Sequence, residues 1–300
     1  MDGAGEELAG QVVAAFGQRL VVRDDAGEAW PGFVARRGVR VVCGDRVSCR
    51  RVGETGELAV LGHLPRRTEL TRPDRRGRVE VLAANLDLLV VVVAPEPPVD
   101  PFVTDRYLAA AEAMGCRAVV AANKADLAAP APPALGEYER IGYPVIRVSA
   151  SERTGVEELR GALAGHCSIL VGQSGVGKSS LLNALVPGTD LATGELSGAT
   201  GEGRHTTTAT VLHALPGGGE IIDSPGVRDY APALDDPEIA VRGFREIAAA
   251  APHCRFANCR HLREPDCAVK AAVEAGAICP RRYESYRRLR RLTEDLGKTY

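Results

Sequence analysis

The most specific chemistry in the chain lies in one nine-residue run: Gly172, Gln173, Ser174, Gly175, Val176, Gly177, Lys178, Ser179 and Ser180. The pattern is G-x4-G-K-S, with an apolar strand-like stretch (168–171) before it and a helical stretch after it. Gly172 and Gly177 let the backbone turn tightly, so that successive N–H groups converge on phosphate oxygens. The start of the helix adds its positive partial charge. Lys178 is placed for β- and γ-phosphates and the Ser179 hydroxyl for Mg²⁺. The other lysines are Lys124, Lys270 and Lys298, in a chain whose basic residues are otherwise arginine, so the lysine of this loop calls for a chemical role. The loop specifies phosphate binding. It does not specify the base.

The base is addressed by Asn123, Lys124, Ala125 and Asp126, an N-K-x-D sequence at the end of the strand-like stretch 118–122. Ligands sit at that end of a parallel α/β sheet. The Asp126 carboxylate can accept from both N1–H and the exocyclic amine of guanine. Adenine lacks that amine and presents an acceptor at N1, which leaves a buried acceptor unpaired at a cost of about 1–3 kcal/mol. Asn123 is expected to brace the loop, and the Lys124 stem to lie over the ring. Ser149 and Ala150, after the strand-like stretch 145–148, can offer a backbone N–H to guanine O6. Both motifs precede the phosphate loop, the reverse of their usual order. The site depends on spatial order, so the arrangement reads as a circular permutation.

Two segments after the loop carry the remaining chemistry. Residues 201–208 run Gly-Glu-Gly-Arg-His-Thr-Thr-Thr, and one of Thr206, Thr207 and Thr208 is expected to complete the Mg²⁺ shell, with Thr207 favoured. Asp223, Ser224, Pro225 and Gly226 match D-x-x-G: Asp223 would hold Mg²⁺ through water, and the Gly226 N–H would meet the γ-phosphate. Val227 stands where many GTP-hydrolysing proteins place a water-orienting Gln. Intrinsic hydrolysis is therefore expected to be slow, or another group must orient the water. His205 is the nearest candidate; its alternative is a solvated loop histidine or an RNA contact. Lys178, Thr207 and His205 form the expected catalytic set.

Cys254, Cys259, His261 and Cys267 offer three thiolates and one imidazole within 14 residues. Four such ligands suit a tetrahedral structural Zn²⁺ with no open position, and His253 is the competing imidazole. Cys43, Cys49, Cys116, Cys167 and Cys279 lack such partners and read as buried thiols. Residues 281–291 interleave Tyr283 and Tyr286 with arginines, a pattern suited to phosphates and base stacking, or else a solvated basic helix end.

These groups need elements to hold them. A chain of 300 residues with 45% apolar and 25% charged content is an ordinary globular sequence, long enough for two or three domains. Its net charge of −2 gives no overall case for nucleic acid. The longest apolar run, 88–94, is far short of the roughly 20 residues a bilayer requires. Residues 1–10 lack the basic and apolar regions of a signal peptide, so a cytoplasmic setting is expected, where cysteines serve metal or packing. Short β-like runs broken by turn signals over 10–65 suit a small barrel of the OB or SH3 type. The arginine-rich stretch 66–78 reads as a linker. Strands then alternate with helices over 79–230, which predicts a parallel sheet, and the chain turns helical from 235.

Taken together, Asn85 with Asp87, Asp105 to Leu108, the N-K-x-D and phosphate loops, 203–208, 223–226 and the cysteine–histidine spacing resemble the circularly permuted ribosome small-subunit-dependent GTPase A (RsgA) family over nearly the whole chain. The resemblance implies a multi-domain α/β protein. An N-terminal OB-fold RNA-binding domain would span 1–68, a permuted P-loop GTPase domain with a parallel sheet 69–232, and a zinc-binding helical domain 233–300. It further implies a monomer that uses GTP with Mg²⁺ and one structural Zn²⁺. The implied role is late maturation of the small (30S) subunit: binding rRNA and hydrolysing GTP on docking to release assembly factors, with GTP or GDP bound and no membrane involved. That family also carries an apolar residue at the position of Val227. Ser224 departs from its commoner Thr but leaves Asp223 and Gly226 intact. The alternative is a nucleotide-gated RNA-binding module with negligible turnover.

Overall fold

Alternation of buried and exposed side chains along the first strands closes them into a barrel. In β1 (Glu7–Phe16), Leu8 and Val12 face the barrel core, and a bulge between Val12 and Ala14 brings Ala15 onto the same face. The next four strands are β2 (Arg19–Asp24), β3 (Ala29–Val34), β4 (Arg46–Val52) and β5 (Glu57–His63). They pair in the order β1-β2-β3-β5-β4, and β4 returns to β1. All these ladders are antiparallel except β3–β5. This is the five-stranded Greek-key barrel of the OB type, its core made by Val12, Leu20, Val22, Val47, Cys49, Leu58 and Val60. The computed structural model describes residues 7–53, 56–73, 78–98, 100–127, 129–130, 132, 134–187, 209–224 and 237–296.

Two local expectations fail here. Residues 40–43, one of the β-like runs within 10–65, form no strand; the Asp45 carboxylate accepts the Val42 N–H and turns the chain instead. The stretch 66–78 is more than a linker. Arg66 is buried against the fully buried Asp45, with bonds of 2.7 and 2.9 Å, and β6 (Glu69–Pro73) pairs with β7 (Val79–Ala84) as a hairpin.

The parallel sheet follows. It contains β8 (Leu88–Val93), β9 (Arg117–Ala122), β10 (Val145–Arg147), β11 (Cys167–Val171) and β13 (Glu220–Asp223) in the order β10-β9-β8-β11-β13. β12 (Thr210–Ala214) adds to β13 in antiparallel fashion. Every residue of β8 and β11 is buried, as sheets covered on both faces require. One face packs on α1 (Pro101–Met114) and the other on α3 (Val156–Leu163) and α4 (Lys178–Leu185), while α2 (Leu135–Arg140) lies beside α1. β12 also pairs with β1, Ala14 with Val211 and Ala15 with Thr210, so barrel and sheet share one hydrogen-bonded system.

The C-terminal lobe comprises α5 (Pro237–Arg242), α6 (Arg245–Ala250), α7 (Ala268–Glu274) and α8 (Pro280–Leu296). Its core is built onto α1: Phe102, Ala109 and Ala110 pack with Phe244, Ile247, Tyr286 and Leu289. α1 therefore serves two cores. Its start is fixed by Asp100, whose side chain accepts the Phe102 N–H at 2.9 Å, with Pro101 in the first turn. Among the described residues, no helix is long and apolar enough to cross a membrane.

Candidate nucleotide site and metal centre

The phosphate loop leaves β11 at its C-terminal end, between β8 and β13. Gly172 has φ 149°, and a β-carbon there would lie 2.4 Å from the Val92 carbonyl oxygen; no other residue fits. Gly177 (φ 89°) is the N-cap of α4, whose apolar face (Leu181, Leu182, Leu185) anchors the helix on the sheet. The first N–H groups of any helix lack intrahelical partners, so the start of α4, at the end of the loop, favours an anion. Lys178 Nζ donates to the carbonyls of Gly172 and Gln173, both at 2.7 Å. Ser174, Gly175 and Ser180 are exposed, Gln173 and Ser179 half-buried, and Val176 is buried in the core beneath.

Asn123 joins the three motifs. It is 2% exposed, and its Nδ2 donates to the Val176 carbonyl at 2.9 Å and the Gly177 carbonyl at 3.4 Å. Its Oδ1 accepts the Ala150 N–H at 3.3 Å. Beside it, Lys124 adopts φ 60° and sends Nζ to the Glu96 carbonyl at 2.7 Å. Ala125 and Asp126 are exposed, and Asp126 Oδ1 accepts the Ser149 hydroxyl at 2.5 Å. That bond, followed by the Asp126 backbone N–H and with the Lys124 charge among the lesser causes, holds the carboxyl below the usual carboxylate range. Ser149 itself is fully buried and also meets Ser151 at 3.0 Å. An ionised acceptor is thus exposed at the strand ends, with its rear held by hydroxyl groups.

At the end of β13, Asp223 and Ser224 join Lys178 and Ser179 around a cavity of about 20 Å³. That is room for one water-sized occupant, and beside the apolar Leu170, Leu182 and Ile222 the Ser179 and Asp223 side chains supply the oxygen donors a hard cation would use. His205, Thr206, Thr207, Thr208, Gly226 and Val227 lie outside the described residues.

The second centre is compact. The candidate ligand atoms of Cys254, Cys259, His261 and Cys267 all lie within 4.8 Å of one another. Cys254 Sγ is 3.4 Å from His261 Nδ1 and 3.8 Å from Cys267 Sγ, and Cys267 Sγ is 3.6 Å from His261 Nδ1. A tetrahedron with metal–sulfur bonds of about 2.3 Å has edges of about 3.8 Å, so the set fits a tetrahedral ion. His253 is exposed and stands outside the set. Burial opposes the Cys254 thiolate, but the Val269 and Ala268 amides at the start of α7 hold its pKa below the ordinary thiol value.

At its buried residues α8 departs from both sequence readings, a stacking surface and a solvated basic helix end. Tyr286 is fully buried, and its hydroxyl donates to the Arg260 carbonyl at 2.8 Å; Tyr283 donates to that of His261 at 2.6 Å. Both tyrosines brace the metal loop; Tyr286 is closed off in the core, and the half-buried Tyr283 stacks on its ring. Arg282 and Arg290 are likewise buried. The sequence reading also missed Glu96 and the turn around it, which supplies a backbone carbonyl and so leaves no side-chain signal.

The chain matches the RsgA GTPase family over residues 63–232. It is 46% identical over 295 residues to the small ribosomal subunit biogenesis GTPase RsgA of Azotobacter vinelandii, covering 95% of this chain and 85% of that protein. The protein of the same description from Pseudomonas aeruginosa is 45% identical over 293 residues, with 95% and 85% covered. Among solved structures, YjeQ from Thermotoga maritima superposes with a TM-score of 0.76 at 31% identity, over 96% of this chain and 99% of that one. YloQ, described as a circularly permuted GTPase, shares the fold with a TM-score of 0.74 at 23% identity, over 98% of each chain.

Proposed function

The chain belongs to the RsgA GTPase family, and on that premise we propose that it hydrolyses GTP while docked on the maturing small ribosomal subunit, thereby releasing assembly factors. The observation that carries the reading is Asn123, which ties the guanine-reading strand end, the Ser149–Ala150 turn and the phosphate loop into one site.

In this reading Asp126 accepts from the guanine edge, and the stem of Lys124, fixed at its end by Glu96, covers the ring. The backbone N–H groups of 172–178 and Lys178 take the phosphates. Ser179, Asp223 and Thr207 would hold Mg²⁺, which supplies charge neutralisation at the β- and γ-phosphates. Gly226 would meet the γ-phosphate, and His205 would orient the attacking water in place of the Gln that Val227 replaces. The residues of the metal loop fit Zn²⁺, with His261 ligating through Nδ1 and a closed set of four making the ion structural.

RNA contact falls to the barrel. Arg36, Arg37 and Arg40 are exposed, and their guanidinium groups have no partner among the described residues. They line an open cleft of about 770 Å³ with Gln18 and Val79, suited to phosphate oxygens. A cytoplasmic monomer is the corresponding setting. Val227 keeps one rival alive, a nucleotide-gated RNA binder without useful turnover. Multiple-turnover GTP hydrolysis with isolated small or large ribosomal subunits separates the two. Acceleration by small subunits alone supports the proposal; equal rates with and without them defeat it.

A further inference from the structure

Helix α8 carries more buried charge than a solvated basic helix would. Arg282 is 1% exposed and donates to Asp105 Oδ1 at 2.8 Å and to both oxygens of Glu246, at 2.7 and 3.1 Å. Arg281 reaches Asp105 Oδ2 at 2.7 Å and also pairs with Glu137. Asp105 is fully buried on α1 and accepts in addition from the Tyr138 hydroxyl at 2.9 Å. Taking such charges out of water is costly before pairing. The apolar contacts between α1 and α8 supply adhesion without them. What the ionic cluster adds is a fixed direction and register between the two helices.

α1 leads straight to the nucleotide site. The turn 95–98, between β8 and α1, places Pro97 Cγ and Cδ 3.2 Å from where a β-carbon of Gly175 would stand. The neighbouring Glu96 carbonyl holds Lys124. At the other side of the turn Asp100 caps α1, and Arg288 of α8 stands 3.7 Å from its carboxylate and 4.0 Å over the Phe102 ring. α8 thus grips α1 at its cap and again at Asp105. Through Tyr283 and Tyr286 the same helix holds the carbonyls of the metal loop.

We infer that Asp105, held by Arg281 and Arg282, is a positioning residue for stimulated GTP hydrolysis. It sets α1 so that the turn 95–98 seats Lys124 and the phosphate loop, and a load on the metal lobe reaches the nucleotide through it. The inference rests on the small-subunit reading only for what supplies the load. The coupling belongs to the chain itself.

Arg281→Gln tests it, because Arg282 and Glu246 stay in place to keep the lobe packed; Glu137→Gln, which frees one side of Arg281, serves if that variant does not fold. Amide hydrogen exchange over 254–267 and 280–296 is compared in the full chain with GDP and with a non-hydrolysable GTP analogue. The wild type is expected to exchange differently with the two nucleotides, and the variant to lose that difference. With small subunits, the ratio of stimulated to basal kcat is expected to fall about tenfold, while the subunit concentration for half-stimulation stays unchanged. Exchange in α8 that ignores the nucleotide in the wild type overturns the inference. So does a variant that keeps both the difference and the ratio, or one that loses only subunit affinity. If subunits stimulate neither protein, the small-subunit reading fails and the exchange comparison alone decides the coupling.

Discussion

The side-chain amide of Asn123 fills the space that a β-carbon on Gly177 would need, with Nδ2 only 2.4 Å from that position. The guanine-reading strand end and the phosphate loop are therefore fitted to each other, and φ 89° at Gly177 excludes ordinary residues independently. Asn123→Ala removes the buried bonds to Val176 and Ala150 and leaves their groups unsatisfied. GTP and GDP are both expected to bind about 10–100-fold more weakly, with the fold retained. Isothermal titration measures this, and wild-type affinity would take Asn123 out of the site.

Asp126 should act on the base alone. Asp126→Asn is expected to weaken GTP about 10–100-fold and leave weak ATP binding unchanged. Its pKa is depressed, chiefly by the Ser149 hydroxyl, so the carboxylate is already ionised above the usual carboxylate range. Protonation could weaken guanine binding only at more acid pH. The preference for GTP over ATP should accordingly be flat between about pH 5 and 8. A preference that titrates in this window would assign the discrimination to another group.

The contrast between these residues and α8 shows what a sequence carries. The positions of Asn123, Asp126 and Lys178 were legible because the motifs that hold them keep a fixed spacing on a strand end or a helix start. The barrel was legible from short alternating strands, although β3–β5 pairing joins strands too distant for any local signal. For Arg282 and Tyr286 the sequence left open a phosphate-binding, stacking surface or a solvated helix end, and neither holds, since a basic, aromatic helix looks the same whether its charges meet solvent or Asp105 and Glu246. Only the three-dimensional placement of α1 decides that. Arg66 was obscured in the same way, as its partner Asp45 lies 21 residues earlier.

The cysteines divide by environment. Burial pushes Cys49 and Cys116 up to about 11 and Cys167 up to about 12, and raises Cys43 further. A raised thiol pKa leaves the group protonated and unreactive at pH 8, because the thiolate is the nucleophile. Mass spectrometry after brief alkylation of the native, metal-loaded protein at pH 8 should find Cys279 modified and these four untouched. Chelation should open Cys254, Cys259 and Cys267 to the reagent, Cys259 more slowly than Cys254 because burial pushes its thiol up to about 12. Modification of that trio at an unchanged rate with and without chelator would argue against a metal held by all three.

The charge cluster under α8 makes the sharpest stability prediction. Arg282→Met keeps much of the volume of the buried stem but leaves Asp105 with fewer donors and strips Glu246 of two bonds. Removing one member of a buried ionic group costs about 3–5 kcal/mol, because its partners stay desolvated without compensation. Chemical denaturation monitored by far-UV circular dichroism should record that loss. Adding Asp105→Asn and Glu246→Gln removes the stranded charges and should recover roughly half of it, since neutral amides are cheaper to bury. The outcome separates two roles for the cluster. Equal loss in the single and triple variants would mean that Arg282 acts mainly through its packing on Phe244, 4.5 Å from the guanidinium carbon. Recovery in the triple variant would instead identify the charges as the source of the cost. The regained stability should then come without the nucleotide-dependent exchange of α8, because neutral groups no longer fix the register between α8 and α1.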